Sequence, residues 1–276
     1  VKHTTIKEQG QNLPIGEVKD GKLVKDFALR PYKGRVDRFL NTYREANQGR
    51  SVAYLAAKYL SLIVESAAGT AYPLTETGDS SADQEARIHG WFFADFLYAY
   101  VYSRIANVSE WIEVPAVCPA AGCPYTGTLR ADLTSTEVTV LEKPEELFTW
   151  VDLRDGIKVG DRVSKRLKLQ AVRYRAMLLP GAAHQDVNSL SYAQLREAIV
   201  EIEGAPAGYV VLDKDLDDLS KFDLLRIDRQ AGLVAAGLSM RTTILCPKCG
   251  TPIRSAFDWN FDPFFDASVP SDLLTD

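Results

Sequence analysis

The residues in this chain best suited to chemistry are four cysteines, which arrive as two spaced pairs, Cys118-Pro-Ala-Ala-Gly-Cys123 and Cys246-Pro-Lys-Cys249. Each pair sits where a strand should turn. Ile112-Glu-Val-Pro-Ala-Val leads into Cys118, and Tyr125-Thr-Gly-Thr-Leu-Arg-Ala follows Cys123. Thr242-Thr-Ile-Leu leads into Cys246, where Pro247 presets φ after the first cysteine and Gly250 permits a left-handed turn after the second. Two such knuckles facing each other would supply the four thiolates, at about 2.3 Å, that one tetrahedral Zn2+ takes. Four sulfurs close that shell to water and substrate, so the expected role of Cys118, Cys123, Cys246 and Cys249 is structural rather than catalytic. Two disulfides, free cysteines behaving as small hydrophobes and an iron–sulfur centre are the competing readings. Arg130, Lys248 and Arg254 lie close enough in sequence to offset the site's negative charge.

Other constellations carry less. Asp213-Lys-Asp215-Leu-Asp217 begins like a calcium loop, but Asp218 stands where that loop needs Gly and Leu224 where it needs Glu. The acidic run reads instead as a helix N-terminus favoured by its dipole. The chain has no Gly-rich phosphate loop, no G-x-S-x-G and no H-E-x-x-H. His3, His89 and His184 stand in unrelated contexts, and Asp258, Asp262 and Asp266 step through a tail rich in aromatics.

The expected fold class is α+β, with the elements that position the cysteines laid out around them. Residues 1–34, polar and punctuated by Gly10, Pro14, Gly16 and Asp20-Gly21, read as an extended arm, or a short hairpin rather than core, that orders on a partner. A helical domain follows over 35–109. Val36, Phe39, Leu40 and Tyr43, then Val52, Leu55, Ala56, Tyr59, Leu60 and Ile63, recur at helical spacing with a break near Gly49, and a third helix is expected over 81–106. From Glu110 the pattern alternates, and Asp155-Gly156 is the expected hairpin turn. Helices return over 191–201 and 216–236. Residues 110–140 and 240–276 are expected to form a zinc ribbon with an aromatic tail, and 141–239 a mixed α/β insertion that the metal closes, so that chelation loosens both halves together.

Of the 276 residues, 46% are apolar and 25% charged, enough for one large core or two ordinary ones. A net charge of −5 argues against a general attraction to nucleic-acid phosphates or anionic membranes. The longest apolar stretch, Trp91 to Ile105, is interrupted by Asp95, Ser103 and Arg104 and falls short of the roughly 20 residues a spanning helix needs. Val1-Lys2-His3-Thr4-Thr5 has no apolar h-region, and paired cysteines suit a reducing cytoplasm. Phe257, Trp259, Phe261, Phe264 and Phe265 put five aromatics within nine residues, an interface signal that competes with simple coverage of the chain's own core.

The run from Trp111 to Val138, with its strand-cysteine-pair-strand element, and the run from Thr242 to Asp266, with its C-x-x-C unit and acidic-aromatic "FF" end, resemble the T4-type baseplate hub assembly family of contractile-tailed phages and related injection systems, sometimes described as tail assembly chaperones. The likeness covers mainly residues 90–140 and 240–266. The C-x₄-C spacing of the first pair departs from the common C-x-x-C. The resemblance implies that the four cysteines are zinc ligands and that Trp259, Phe261, Phe264 and Phe265 belong to an interface. It also implies a non-enzymatic virion tail or baseplate component, assembled in the host cytoplasm in several copies against other tail proteins. The alternative is a nucleic-acid-binding or enzymatic module that uses the ribbon as scaffold, with its site in the insertion around His184, Arg173 and Arg175.

Overall fold

The computed structural model describes residues 1–48, 52–178, 192–234, 236–239 and 241–256. Within them the chain is α+β, with small antiparallel sheets and helices packed between them. No helix among the described residues is long and apolar enough to cross a membrane.

The first 34 residues are not an extended arm. They form β1 (Lys2–Thr5), α1 (Ile6–Gln9), β2 (Asn12–Lys19) and β3 (Lys22–Leu29). Ile6, Leu13, Ile15 and Phe27 are buried, and Thr5 and Glu8 close a reciprocal capping box on α1. The segment is polar by composition, yet these four apolar residues face inward, while Val1 and Val18 stay exposed. The hairpin β2–β3 extends through β4 (Val64–Ala67) to β5 (Thr70–Ala71) in one sheet.

Helices α2 (Gly34–Ala46) and α3 (Val52–Ile63) flank the expected break, whose residues 49–51 lie outside the described set. The third expected helix is two, α4 (Ala82–His89) and α5 (Phe93–Asn107). Ser81 and Gln84 cap the start of α4 reciprocally. At its end the Phe93 N–H donates to Val172 O and the Trp91 carbonyl accepts from Tyr174 N–H, so a remote segment takes over the backbone between the helices. Tyr59, Phe96, Tyr98 and Tyr174 are among the largest fully buried side chains of this main core.

β6 (Trp111–Val117) and β7 (Thr126–Asp132) form the first cysteine hairpin, and β8 (Glu137–Val140) returns to pair with β1. β9 (Phe148–Val159) and β10 (Arg162–Gln170) form a long hairpin that turns at Gly160 and Asp161 rather than at Asp155-Gly156. Gly156, at φ +89°, makes a bulge instead, and a Cβ there would stand 2.6 Å from Ser164 O. The fully buried Asp223 carboxylate accepts the N–H groups of Arg154, Asp155 and Gly156 at 2.7, 2.8 and 3.1 Å. Asp223→Ala leaves these donors without their acceptor, and urea melts should show a loss of roughly 2–4 kcal/mol.

The expected helix over 191–201 stops early. After α6 (Tyr192–Ala198) the branched Ile199-Val200 run becomes β11 (Ile199–Ile202), which pairs with β10. α7 (Asp213–Asp217) and α8 (Lys221–Val234) divide the other expected helix, with Ser220 Oγ accepting from Asp223 N–H at the start of α8. The acidic run does open a helix, as Asp213 and Asp215 occupy the first turn of α7. A second hydrophobic cluster, with Val151, Leu167, Leu195, Leu216 and Ile227, fills the space between this sheet and its helices. β12 (Gly237–Leu238) then joins the β1–β8 sheet, and β13 (Arg241–Leu245) with β14 (Pro252–Ala256) forms the second cysteine hairpin. The tail residues Trp259, Phe261, Phe264 and Phe265 lie outside the described residues.

Candidate metal centre

Both cysteine hairpins are built by alternation and closed by glycine. In β6, Val114 and Ala116 point inward, and Cys118 follows them on the buried side. The Cys118 N–H donates to Tyr125 O, and the Cys123 N–H to Ala120 O, curling the loop so that both sulfurs face one way. In the second hairpin the Cys246 N–H donates to Thr251 O and the Gly250 N–H to Cys246 O. Gly122 at φ +81° and Gly250 at φ +73° take the left-handed backbone that these tight loops require. The hairpins meet beside Ala116 and Ile253, and Ser255 Oγ donates to Pro115 O at 3.1 Å.

This brings all four cysteines together, with their sulfurs within 4.8 Å of one another. Cys118 Sγ is 3.5 Å from Cys249 Sγ and Cys123 Sγ is 3.8 Å from Cys246 Sγ, each close pair crossing from one hairpin to the other. A disulfide needs about 2.05 Å, so the cysteines are free thiols. The arrangement suits one metal ion, since a tetrahedron with bonds of about 2.3 Å has sulfur–sulfur edges of about 3.8 Å.

The electrostatics are those of a site that wants a cation. The Thr251 hydroxyl and backbone N–H, with help from Cys118, push the exposed Cys249 thiol down to about 6. For Cys118 the Ala120 N–H favours the thiolate, but burial and the neighbouring sulfurs outweigh it and push the thiol up to about 12. Cys249 ionises readily while Cys118 and Cys123 resist, because thiolates this close repel without a positive ion among them. Arg130, by contrast, stands opposite Glu113 in the β6–β7 register, and Lys248 is exposed at the knuckle tip.

Two features escaped the sequence reading. Lys58, 5% exposed, has its Nζ 2.9 Å from Ser80 Oγ, which lies 2.7 Å from Ser61 Oγ. Serine and lysine so placed could act as nucleophile and base. Here Lys58 also pairs with Asp79 and Glu85, both at 2.7 Å. Burial pulls its pKa down, but hydrogen bonds and charge from these carboxylates raise it overall, so the ammonium holds its proton and fastens α3 to α4 and the preceding loop. The second feature is Asp95, whose oxygens accept the Ile15 and Gly16 N–H groups at 2.7 and 2.9 Å and tie β2 to α5. Of the alternative site, Arg175 pairs with Glu197 at 2.6 Å, Arg173 lines a cavity, and His184 lies outside the described residues.

No family model, curated protein or solved structure matches the chain. The cysteine cluster therefore stands on its own geometry.

Proposed function

We propose that this protein is a non-enzymatic structural or assembly component of a phage-type contractile tail baseplate, held in shape by one zinc ion. The observation that carries the reading is the convergence of four sulfurs from hairpins 123 positions apart into a shell with no place for a substrate. Tetrahedral all-thiolate ligation suits zinc or iron. A cluster of several irons would spread its four cysteine sulfurs beyond the 4.8 Å that contains all of them here, which favours a single ion.

A bound zinc would supply a cross-link between chain segments, and the rest falls to the residues around it. Ala116 and Ile253 form the apolar seat, the glycine turns aim the sulfurs, and the hairpins present Val117 and Leu245, each preceding the first cysteine of its pair, to solvent. Paired exposed apolar residues on a cross-linked tip suit a protein that contacts others. The tail likeness of the cysteine-containing segments supplies the baseplate setting, with other tail or baseplate proteins as partners and several copies in the particle.

Affinity capture from producing cells tests this reading. Tail or baseplate proteins are expected to co-purify with the full chain, and their absence overturns the assembly role. Mass spectrometry of mature particles then distinguishes a resident component, which is present, from an assembly factor, which is not.

A further inference from the structure

A cavity of about 330 Å³ opens where the β2–β3 hairpin, the break between α4 and α5, and the β9–β10 hairpin meet. Val18, Trp91, Phe92 and Phe148 contribute apolar wall. Its size and mixed lining are those of a small-molecule site.

Most of its polar groups are already engaged or face water. The two Asp95 oxygens accept backbone N–H groups, Gln170 Nε2 donates to Glu197 O at 3.3 Å, and Glu17 is exposed. Arg173 differs. Its guanidinium lies 4.6 Å over the Phe92 ring and gives one hydrogen bond, from Nη1 to Gly90 O at 2.5 Å. Among the described residues no carboxylate comes within ion-pair distance of it, whereas its neighbour Arg175 has Glu197. Burial, then the nearby Arg175 charge, lowers the Arg173 pKa, and the fields of Glu197, Glu17 and Asp95 do not restore it. A half-buried guanidinium with a free edge and no counter-ion favours an incoming anion. The planar fork of Nε and Nη2 matches a carboxylate held by two parallel hydrogen bonds.

We propose that this cavity binds a small organic carboxylate, its charge held by Arg173 and its apolar body laid against Trp91, Phe92 and Phe148. The site is separate from the cysteine cluster and independent of the assembly reading, so either can fail alone.

Calorimetric titration of the full-length protein with 4-phenylbutyrate and with its uncharged amide is the test. Saturable binding of the acid is expected, with Kd on the order of 1 mM or tighter. The amide should bind at least about tenfold more weakly. Arg173→Gln should erase that preference, and Arg175→Gln should keep it. Equal affinity for acid and amide in the unmodified protein, or no saturable binding of the acid, overturns the proposal without reliance on any variant. Retention of the preference by a folded Arg173→Gln protein overturns it as well.

Discussion

Removing the metal is expected to free the β13–β14 hairpin while leaving the main core folded. The hairpin is otherwise seated lightly: among the described residues the cluster at the cysteines has Ala116, Cys118, Cys246 and Ile253 as its buried members, and Ile244 packs half-buried against the main core. Metal ligation contributes ~10–16 kcal/mol in small zinc domains, far more than such a cluster can. Hydrogen exchange after chelation should therefore show the amides of Arg241–Leu245 and Pro252–Ala256 exchanging roughly a thousandfold faster or more. The β2–β5 sheet and α5 should change little. This replaces the expectation that chelation loosens both halves together, because β12 pairs with β8 just before the second hairpin and closes the long intervening loop without metal. Elemental analysis completes the test, with one zinc per chain expected and close to none after Cys249→Ser. Unchanged protection of β13 and β14 in metal-free protein would show that the cysteines do not hold the hairpins together.

The second large effect belongs to Asp95, 3% exposed in the first turn of α5. Burial pushes its carboxyl up to about 7, against the pull of the Ile15 and Gly16 N–H groups and the Lys25 charge, while Glu17 adds to the push. In the unfolded chain an aspartate titrates near 4. From about pH 4 to about pH 7 the unfolded chain therefore releases this proton while the folded protein keeps it. The contribution of Asp95 is fully present below about pH 4, falls as pH rises through that window and levels off above it, by on the order of 4 kcal/mol in total. Asp95→Asn removes the titration, so the stability of the unmodified protein relative to that variant should fall between about pH 4 and about pH 7 in urea melts. A flat difference would mean that Asp95 titrates normally. Asp95→Ala should also be costly, because it leaves two backbone donors without acceptors where β2 bends through Gly16 at φ +78°.

Local pattern was legible where one element satisfied itself. The 3.6-residue spacing of Val36 and Leu40, and of Leu55, Tyr59 and Ile63, marks helices that form, and Ser81 with Gln84 starts a helix through its own side chains. Pattern misled where a remote partner set the backbone. Phe93 and Trp91 end one helix and begin another because the segment at Val172–Tyr174 takes their hydrogen bonds. Asp155-Gly156 has the composition of a turn, yet Asp223, far along the chain, holds those residues in a bulge. The first 34 residues looked like a solvated arm because composition averages over faces, and Ile6, Leu13, Ile15 and Phe27 are few but all inward.

The sequence by itself determined that four cysteines come as two knuckles and that each knuckle turns on a glycine or proline, because those features depend on a residue's own stereochemistry and on spacing along a strand. It also made a closed all-sulfur shell the natural use of the pairs. Only the tertiary structure decided that the two knuckles face each other across 123 positions with their sulfurs within 4.8 Å, that Asp95 and Asp223 bury their carboxyl groups against backbone donors, and that Arg173 lines a cavity with no carboxylate at ion-pair distance among the described residues. Such facts depend on which distant segments share a face, and the free energy that settles it is summed over the whole core rather than carried by any one stretch of chain.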